Sequence, residues 1–243
     1  MANKFTPYAR GLMVDAFPSQ VFLSVHDDDP AEAGLNEVPG VDRIEINLDP
    51  ADGNQIRAAA ETQVDFEIPG GESVSHIGVF DSATDGDFLS SAELDEEQVY
   101  TATGLLRLNN VAIDLNVDCS PGQTNDHTEE AQNTMVAALP STVYVSLHDG
   151  DPGDTGENET ALDRISTTLG TATEGGRAAD SEVIDFEVPE TTTITHIGVF
   201  DADTEGNFIG AQPLDPEAEF TTAGVLRVVN LAFSLGLECD VQT

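Results

Sequence analysis

Lysine is nearly absent from this chain of 243 residues: Lys4 is the only one. The chain also has seven arginines and 46 acidic residues, which gives a formal net charge of −38. Nucleic-acid binding needs clustered basic side chains, so the composition disfavours direct nucleic-acid contact. An anionic membrane surface is disfavoured for the same reason. No apolar run reaches about 18 residues, and the N-terminal residues lack a secretory apolar segment, so we expect neither membrane insertion nor Sec export.

The excess of acid predicts adaptation to concentrated salt. A folded chain with this charge repels itself at low ionic strength. At roughly 1 M salt the Debye length falls to about 3 Å, which screens the repulsion. Because hydrophobic residues make up 39% of the chain and lie in short periodic runs, we expect a folded core rather than disorder. An ordinary acidic protein of a mesophile is the alternative.

The chain contains one domain-sized segment twice. PSQVFLSVHDDD, from Pro18, matches PSTVYVSLHDGD, from Pro140, and a later segment, VDFEIPGG, matches IDFEVPET. The offset between the copies is 122 residues at first and 120 later, so the second copy is two residues shorter. We predict two tandem domains, 1–119 and 131–243, joined by a polar linker at 120–130.

Each copy is predicted to be mainly β. VDFEI and IDFEV alternate between an apolar and an acidic face, while HIGVF is apolar on both faces and predicts a central strand. A shift of apolar phase at Asn109–Asn110 and Val229–Asn230 predicts a β-bulge. The predicted helices are short lead-in segments, at 7–17 and about 128–139. We expect an all-β chain of two tandem antiparallel β-sandwich, jelly-roll-like domains, each preceded by a short helix.

A serine and a histidine two residues apart recur in both copies, as Ser24/His26 and Ser146/His148. Side chains two apart on a strand point in parallel, which is poor geometry for proton transfer from serine to histidine. No nucleophile elbow is present. We therefore expect no catalytic residues and no enzyme, and we predict that this face, with Phe22 and Tyr144, docks on a neighbouring protein.

Two further features raise the question of metal binding. His76 and His196 occupy equivalent places in the HIGVF strands, and we expect hydrogen-bonded core residues there rather than metal ligands. The acidic loops Asp27–Glu32 and Asp149–Asp154 offer the oxygen atoms that Ca²⁺ prefers, but their spacing does not match an EF-hand. Cation binding and simple hydration of these loops both stay open, and we predict neither a metal site nor a cofactor.

Six of the seven arginines form repeat-related pairs: Arg43/Arg164, Arg57/Arg177 and Arg107/Arg227. In a chain with so few basic residues, arginines at matching positions predict structural roles. The guanidinium fork suits bidentate binding of carboxylates or loop carbonyls, and an interface role is the alternative. Cys119 and Cys239 follow the last strand of each copy, and we expect free thiols there.

The motifs resemble a family of tailed-virus virion proteins, usually labelled minor tail or tail-fibre proteins. The resemblance is carried by VYVSLHDGDPGDTGENE, Val143–Glu159, and by HIGVFDADTEGNF, His196–Phe208. It is weaker at Val21–Glu37, where Asp27, Asp28 and Asp29 depart from the family pattern. Members of that family usually hold a single copy. With the acidic composition, the resemblance implies a non-enzymatic, tail-associated, baseplate or fibre-type protein of a virus of halophilic archaea.

The resemblance also implies where the protein acts and what it contacts. We expect it to be made in the host cytoplasm and assembled into the virion. Expected partners are other virion proteins of the tail or capsid, further copies of the chain in a homo-oligomer, and a host surface glycan or glycoprotein. A capsid-surface decoration or turret protein is the alternative, and a Ca²⁺-dependent cell-surface binding module or a carbohydrate-cleaving virion enzyme are further ones.

Overall fold

The structure is a computed structural model that describes residues 4–50, 56–61, 63–114, 127–180 and 183–234. Up to residue 114 it contains β1 (Lys4–Phe5), α1 (Pro7–Ala16), β2 (Gln20–His26), β3 (Ile44–Asn47), β4 (Ile56–Ala58), β5 (Gln63–Ile68), β6 (Ser73–Phe80), β7 (Phe88–Val99), β8 (Gly104–Asn109) and β9 (Ala112–Asp114). From residue 127 it contains α2 (Glu129–Ala137), β10 (Thr142–His148), β11 (Ile165–Thr168), β12 (Gly176–Ala178), β13 (Val183–Val188), β14 (Thr192–Phe200), β15 (Phe208–Phe220), β16 (Gly224–Val229) and β17 (Ala232–Ser234). The predicted all-β class is confirmed.

Two compact units make up the chain, and the first is built on the first sequence repeat. Its described residues are 14–50, 56–61, 63–114 and 127–134. A four-stranded antiparallel sheet has the order β3-β2-β6-β7, so the HIGVF strand β6 is central, as predicted. The ribbons β5–β8 and β4–β9 complete the unit. The apolar face of β5 is buried at Val64, Phe66 and Ile68, which confirms the alternation read from VDFEI.

The second unit is built on the second sequence repeat in the same way. Its described residues are 4–13, 135–180 and 183–234. The sheet has the order β1-β15-β14-β10-β11, and β12–β17 and β13–β16 form the ribbons. Its core joins Val145 and Leu147 of the sheet to Phe186 and Val188 of the ribbon. Sheet and ribbon therefore bury their apolar faces against each other as the two layers of a sandwich.

The phase shift near the end of each repeat is not a β-bulge, and that prediction is wrong. Strand β8 ends at Asn109 and pairs with β5, whereas β9 begins at Ala112 and pairs with β4. Between them Asn110 has φ +53°, and Asn230 has the same φ at the corresponding point of the second repeat. Asparagine tolerates this left-handed backbone conformation well, and the conformation turns the strand toward a new partner strand.

Both predicted lead-in helices are present, α1 and α2. Each buries one stripe at helical spacing, Ala9, Met13 and Val14 in α1 and Ala131, Met135 and Val136 in α2. Neither helix in the described part of the chain is long and apolar enough to cross a membrane. Cys119 and Cys239, and most of the predicted linker 120–130, lie outside the described residues, and the predicted domain boundaries stay predictions.

Candidate functional site

The repeated serine and histidine form a buried hydrogen-bonded pair. Ser24 Oγ lies 2.7 Å from His26 Nε2, and His26 Nδ1 lies 2.6 Å from the carbonyl oxygen of Leu35. Ser146 and His148 repeat these contacts at 2.9 Å and 2.7 Å. Because a carbonyl can only accept, Nδ1 carries the proton, and Nε2 accepts from the serine hydroxyl. The histidine thereby connects its strand to the segment that follows the acidic loop.

The prediction of a parallel, outward-facing pair is wrong. Ser24 is 2% exposed and His26 is fully buried. The imidazole stacks on Phe80 at a centroid distance of 6.3 Å and lies 6.0 Å from Phe88. Phe22, the aromatic member of the predicted docking face, is half-buried. The serine and histidine are thus part of the core of the unit, and an external substrate does not reach them.

Glycine in the neighbouring strand explains why the two side chains can lean toward each other. Gly78 pairs with Ser24 across the sheet. A β-carbon on Gly78 would lie 2.4 Å from His26 Nε2 and 2.5 Å from Ser24 Oγ. The corresponding β-carbon on Gly198 would lie 2.3 Å from His148 Nε2. The glycine of HIGVF therefore provides the space that the serine–histidine pair fills.

Burial fixes the charge state of these histidines. It lowers the pKa of His26 below its usual value, and the Leu35 carbonyl and the Glu37 carboxylate oppose that shift. The pKa of His148 is lowered for the same reason. The ring is therefore neutral at neutral pH, which agrees with a ring nitrogen that accepts from serine.

His76 and His196 lie opposite these rings in the sheet, His76 beside His26 and His196 beside His148. Each is half-buried, and Nδ1 contacts the preceding hydroxyl, Ser75 Oγ at 2.9 Å or Thr195 Oγ1 at 2.8 Å. The predicted hydrogen bond is present. Their position is nearer the surface than the core position we expected.

An arginine binds a glutamate five residues beyond each acidic loop. Arg43 donates to Glu37 through Nε at 3.0 Å and Nη2 at 2.6 Å, and to the Ser82 carbonyl through Nη1 at 3.0 Å. Its guanidinium carbon lies 3.3 Å from the centroid of the Phe80 ring. Arg164 lies 3.4 Å from the Phe200 ring and donates to Glu159 in the same bidentate way. Charge-assisted and cation–π contacts combine at one side chain.

The acidic loops use their own carboxylates to shape the backbone. Asp29 Oδ1 accepts from the Ala31 amide at 2.8 Å, and Asn36 Nδ2 donates to the Asp29 carbonyl at 2.8 Å. Asp151 and Asn158 make the second of these contacts at 2.7 Å in the other repeat. Among the described residues, no cluster of three or more His, Cys, Asp or Glu side chains is placed to hold a metal ion.

A second repeated arginine is buried among main-chain oxygens. Arg57 is 4% exposed and donates to the carbonyls of Asp49 at 3.0 Å, Phe17 at 2.5 Å and Leu48 at 3.2 Å. Arg177 is 8% exposed and binds three equivalent carbonyls. This contact joins the segment after the helix to the residues that directly follow β3 or β11 in the same unit. Burial lowers the pKa of both guanidinium groups, yet the charge is retained because the ordinary value is far above neutral.

The third arginine pair lies on the exposed face of the ribbon. Arg107 binds Asp65 through two bonds of 2.8 Å and 3.0 Å, and Arg227 binds Asp185 at 2.7 Å and 2.8 Å. These hydrogen bonds hold the pKa of both aspartates below its usual range. All three repeat-related arginine pairs therefore bind carboxylates or carbonyls, and the prediction of structural roles is confirmed.

The sequence does not predict a further pair of contacts, in which the segment before each helix binds the edge of a strand. We call each of these contacts a joint. We call residues 4–13 the first arm and residues 127–134 the second arm. In the second unit the first arm adds β1 to the edge of β15. Thr6 donates from its amide to the Ile209 carbonyl at 3.0 Å and from its hydroxyl to the Phe208 carbonyl at 2.5 Å. The Phe5 ring stacks on Phe233 at 6.1 Å.

The second arm occupies the matching edge in the first unit. His127 bridges to Ser90 of β7. Thr128 donates from its amide to the Leu89 carbonyl at 2.9 Å and from its hydroxyl to the Phe88 carbonyl at 2.7 Å. We call the edge residues that receive an arm, 88–90 and 208–210, the slots. A threonine before each helix is a sequence signal for an N-cap, but it carries no information about which strand edge receives it.

The comparison with known families identifies the class of protein. A family model described as podophage GP4 fiber I protein gp80 matches residues 2–116 and matches again at residues 123–235. The chain belongs to this podophage fibre protein family. Each match spans one sequence repeat, so this member carries the family unit twice in tandem. A search of curated proteins gives no significant match.

The family assignment confirms the tail-fibre resemblance and the tandem duplication. Both matched segments contain the serine–histidine pair, its glycine and the clamping arginine. In each repeat these residues support the fold of the acidic loop and the sheet beneath it, and they are not arranged around an open cleft. The family is one of phage fibre proteins, which agrees with a structural role.

Proposed function

We propose that this chain is a non-enzymatic structural module of the tail fibre of a virus that infects halophilic archaea. The observation that carries the proposal is the double match to a podophage fibre family, in which both repeats keep the same internal network. A module that transmits contacts between virion proteins needs rigid, self-supported loops. The carbonyl, carboxylate and ring contacts of Arg43, Arg57 and their counterparts supply that rigidity.

The polar chemistry of the repeats supports a structural role over an enzymatic one. A serine–histidine pair in an enzyme has to meet the substrate, whereas Ser146 is 1% exposed and His148 is fully buried. The hydrogen bond from serine to histidine is common to catalytic and structural pairs, so the burial is what favours a structural role. The same pair occurs in the other repeat with the same burial, as expected for a packing device.

The distribution of charge supports the halophilic part of the proposal. Six of the seven arginines bind oxygen atoms within their own unit, so they leave most of the 46 acidic side chains uncompensated. Such a surface is stable where salt screens it. Far-UV circular dichroism of the full chain should show a cooperative β fold in multi-molar KCl and its loss on dialysis to low salt. A melting temperature unchanged at low ionic strength would remove the halophilic assignment and leave the fibre assignment intact.

Purified virions test the location. Mass spectrometry should find the chain at a fixed ratio to the tail proteins, and gold-labelled antibodies should mark the tail in electron micrographs. Label over the capsid would replace the tail assignment with a capsid-surface decoration or turret role. Absence of the chain from purified particles would overturn both. Hydrolysis of host surface glycans by the purified chain would overturn the non-enzymatic assignment.

A further inference from the structure

The arms are exchanged between the repeats. The first arm leads into the first repeat, yet its described residues belong to the unit built on the second repeat. The second arm leads into the second repeat and belongs to the unit built on the first. Each slot therefore receives an arm that does not come from its own repeat.

The two joints are chemically equivalent. Thr6 and Thr128 both donate an amide and a hydroxyl proton to successive main-chain carbonyls of the slot. Each threonine oxygen also accepts from the amide three residues later, Ala9 at 3.3 Å and Ala131 at 3.4 Å, so one residue caps the helix and docks it. Because the slot offers main-chain carbonyls, these hydrogen bonds need only a capping threonine in the arm, and any preference for one arm has to come from other side chains.

We propose that the arm–slot joint links copies of this chain, with the first arm of one copy in the slot of a second copy at residues 208–210. The same hydrogen bonds form whether the arm comes from the same chain or from another, so the exchange leaves their number unchanged. What differs is effective concentration. A tethered arm competes at roughly millimolar effective concentration, which favours the closed chain in dilute solution and the linked chain where copies are crowded.

The partner is therefore a second copy of this chain, and the surface is the edge of β15 with the ring of Phe233 beside it. The Phe5–Phe233 stacking and the hydrogen bond from the Tyr8 hydroxyl to Asp201 Oδ2, 2.9 Å long, make this slot specific for the first arm. The inference is independent of the proposed place in a virion, since it rests on contacts within one unit.

Isotope mixing with a photo-reactive side chain tests the link. Full-length chains carrying Phe5→benzoylphenylalanine, one half in ¹⁴N and one half in ¹⁵N, are unfolded, mixed and refolded in concentrated KCl at micromolar and near-millimolar protein. After irradiation, mass spectrometry should find residue 5 bound to the segment around Phe233. Links between ¹⁴N and ¹⁵N chains should rise at least several-fold with protein concentration. Same-isotope links alone at every concentration, or links to other segments, would overturn the proposal.

A second reporter and a matched control guard against a folding failure at position 5. Tyr8 is 37% exposed, so Tyr8→benzoylphenylalanine should fold and link to the segment around Asp201. Adding Thr6→Val to that variant removes the hydroxyl of the joint, and mixed-isotope links should fall several-fold. Thr128→Val, which weakens the other joint, should leave them near the level of the parent. Equal loss in the two variants would contradict a specific first-arm link.

Discussion

The two repeats agree in their interior and differ on their surface. The serine–histidine contact measures 2.7 Å in one and 2.9 Å in the other, and the arginine–ring contact 3.3 Å and 3.4 Å. On the outer face of the ribbon, however, the cross-strand pair Gln63–Asn109 of the first repeat corresponds to Val183–Val229 of the second. These valines are 46% and 54% exposed. The difference indicates that packing constrains the buried serine–histidine and arginine–ring contacts. The side chains on the outer face of the ribbon are less constrained and can differ between the repeats.

The strongest test of this agreement is the buried arginine. Replacing Arg57 by Met leaves three carbonyls without their donor, and each buried unsatisfied acceptor costs about 1–3 kcal/mol. We expect a loss of roughly 3–5 kcal/mol in the free energy of unfolding. Arg177→Met should cause the same loss, measured by denaturant unfolding in concentrated KCl.

Arginine-to-lysine variants at both positions are the matched control. Lysine keeps the charge but lacks the planar fork, so it should recover only part of the stability. Losses under about 1 kcal/mol for either Met variant would show that water replaces the guanidinium easily. The similarity of the two repeat interiors could then not be explained by the stability that the buried arginine contributes.

The glycine beneath the serine–histidine pair gives the next largest effect. Gly78→Ala and Gly198→Ala place a methyl group 2.4 Å and 2.3 Å from an imidazole nitrogen. Overpacking of this kind costs about 1–3 kcal/mol. Gly11→Ala, in helix α1, adds a β-carbon that meets no atom within 4 Å beyond its chain neighbours and the backbone of its own helix, and it should instead stabilise the protein by roughly 0.5–1 kcal/mol. Thermal unfolding of the three variants decides the matter, and an equal response at Gly78 and Gly11 would refute the packing argument.

Acid should destabilise both repeats through their buried histidines. The folded-state pKa of His26 and His148 is lowered by burial, whereas the unfolded chain takes up protons near the ordinary value of about 6.5. The unfolded state then binds more protons, so stability that is present above pH of about 6.5 is lost as the pH falls toward the folded-state value.

Melting temperatures between pH 7.5 and pH 5, in constant concentrated salt, measure this loss. The double variant, His26→Gln with His148→Gln, should show a smaller fall in melting temperature between pH 7.5 and pH 5 than the parent. Each single variant should show about half of that reduction, because the pKa values of both histidines are lowered by the same causes. A double variant with the slope of the parent would assign the acid response to other groups.

Patterns confined to one strand or one loop were predictable from the sequence. The alternation of VDFEI, the central place of HIGVF and the structural use of the paired arginines follow from period, apolarity and the scarcity of cations. The sequence repeat also predicts that the two copies contain the same structural elements and contacts. Local regularities are strong because each depends on neighbours a few residues away.

Features that depend on a third element were missed. The expectation of parallel Ser24 and His26 side chains ignored Gly78, which lies in a different strand and opens the space between them. The phase of the sequence predicts a bulge at Asn110, where the strand in fact turns, because phase does not reveal a change of partner strand. The exchange of the arms was missed because either slot offers the same carbonyls to the same threonine.

The smallest effect is expected at the exposed ion pair, which sharpens the contrast between surface and interior. Asp65→Asn removes the charge that Arg107 binds, and Asp185→Asn does the same for Arg227. Exposed pairs in high dielectric contribute little, and salt screens them further. The melting temperature in concentrated KCl should therefore change by no more than the scatter between replicates for both variants, and any small loss should shrink as KCl is raised. A large loss at Asp185 alone would show that the valine-flanked ribbon of the second repeat depends on its ion pair, and the two outer faces would then differ in stability as well as in chemistry.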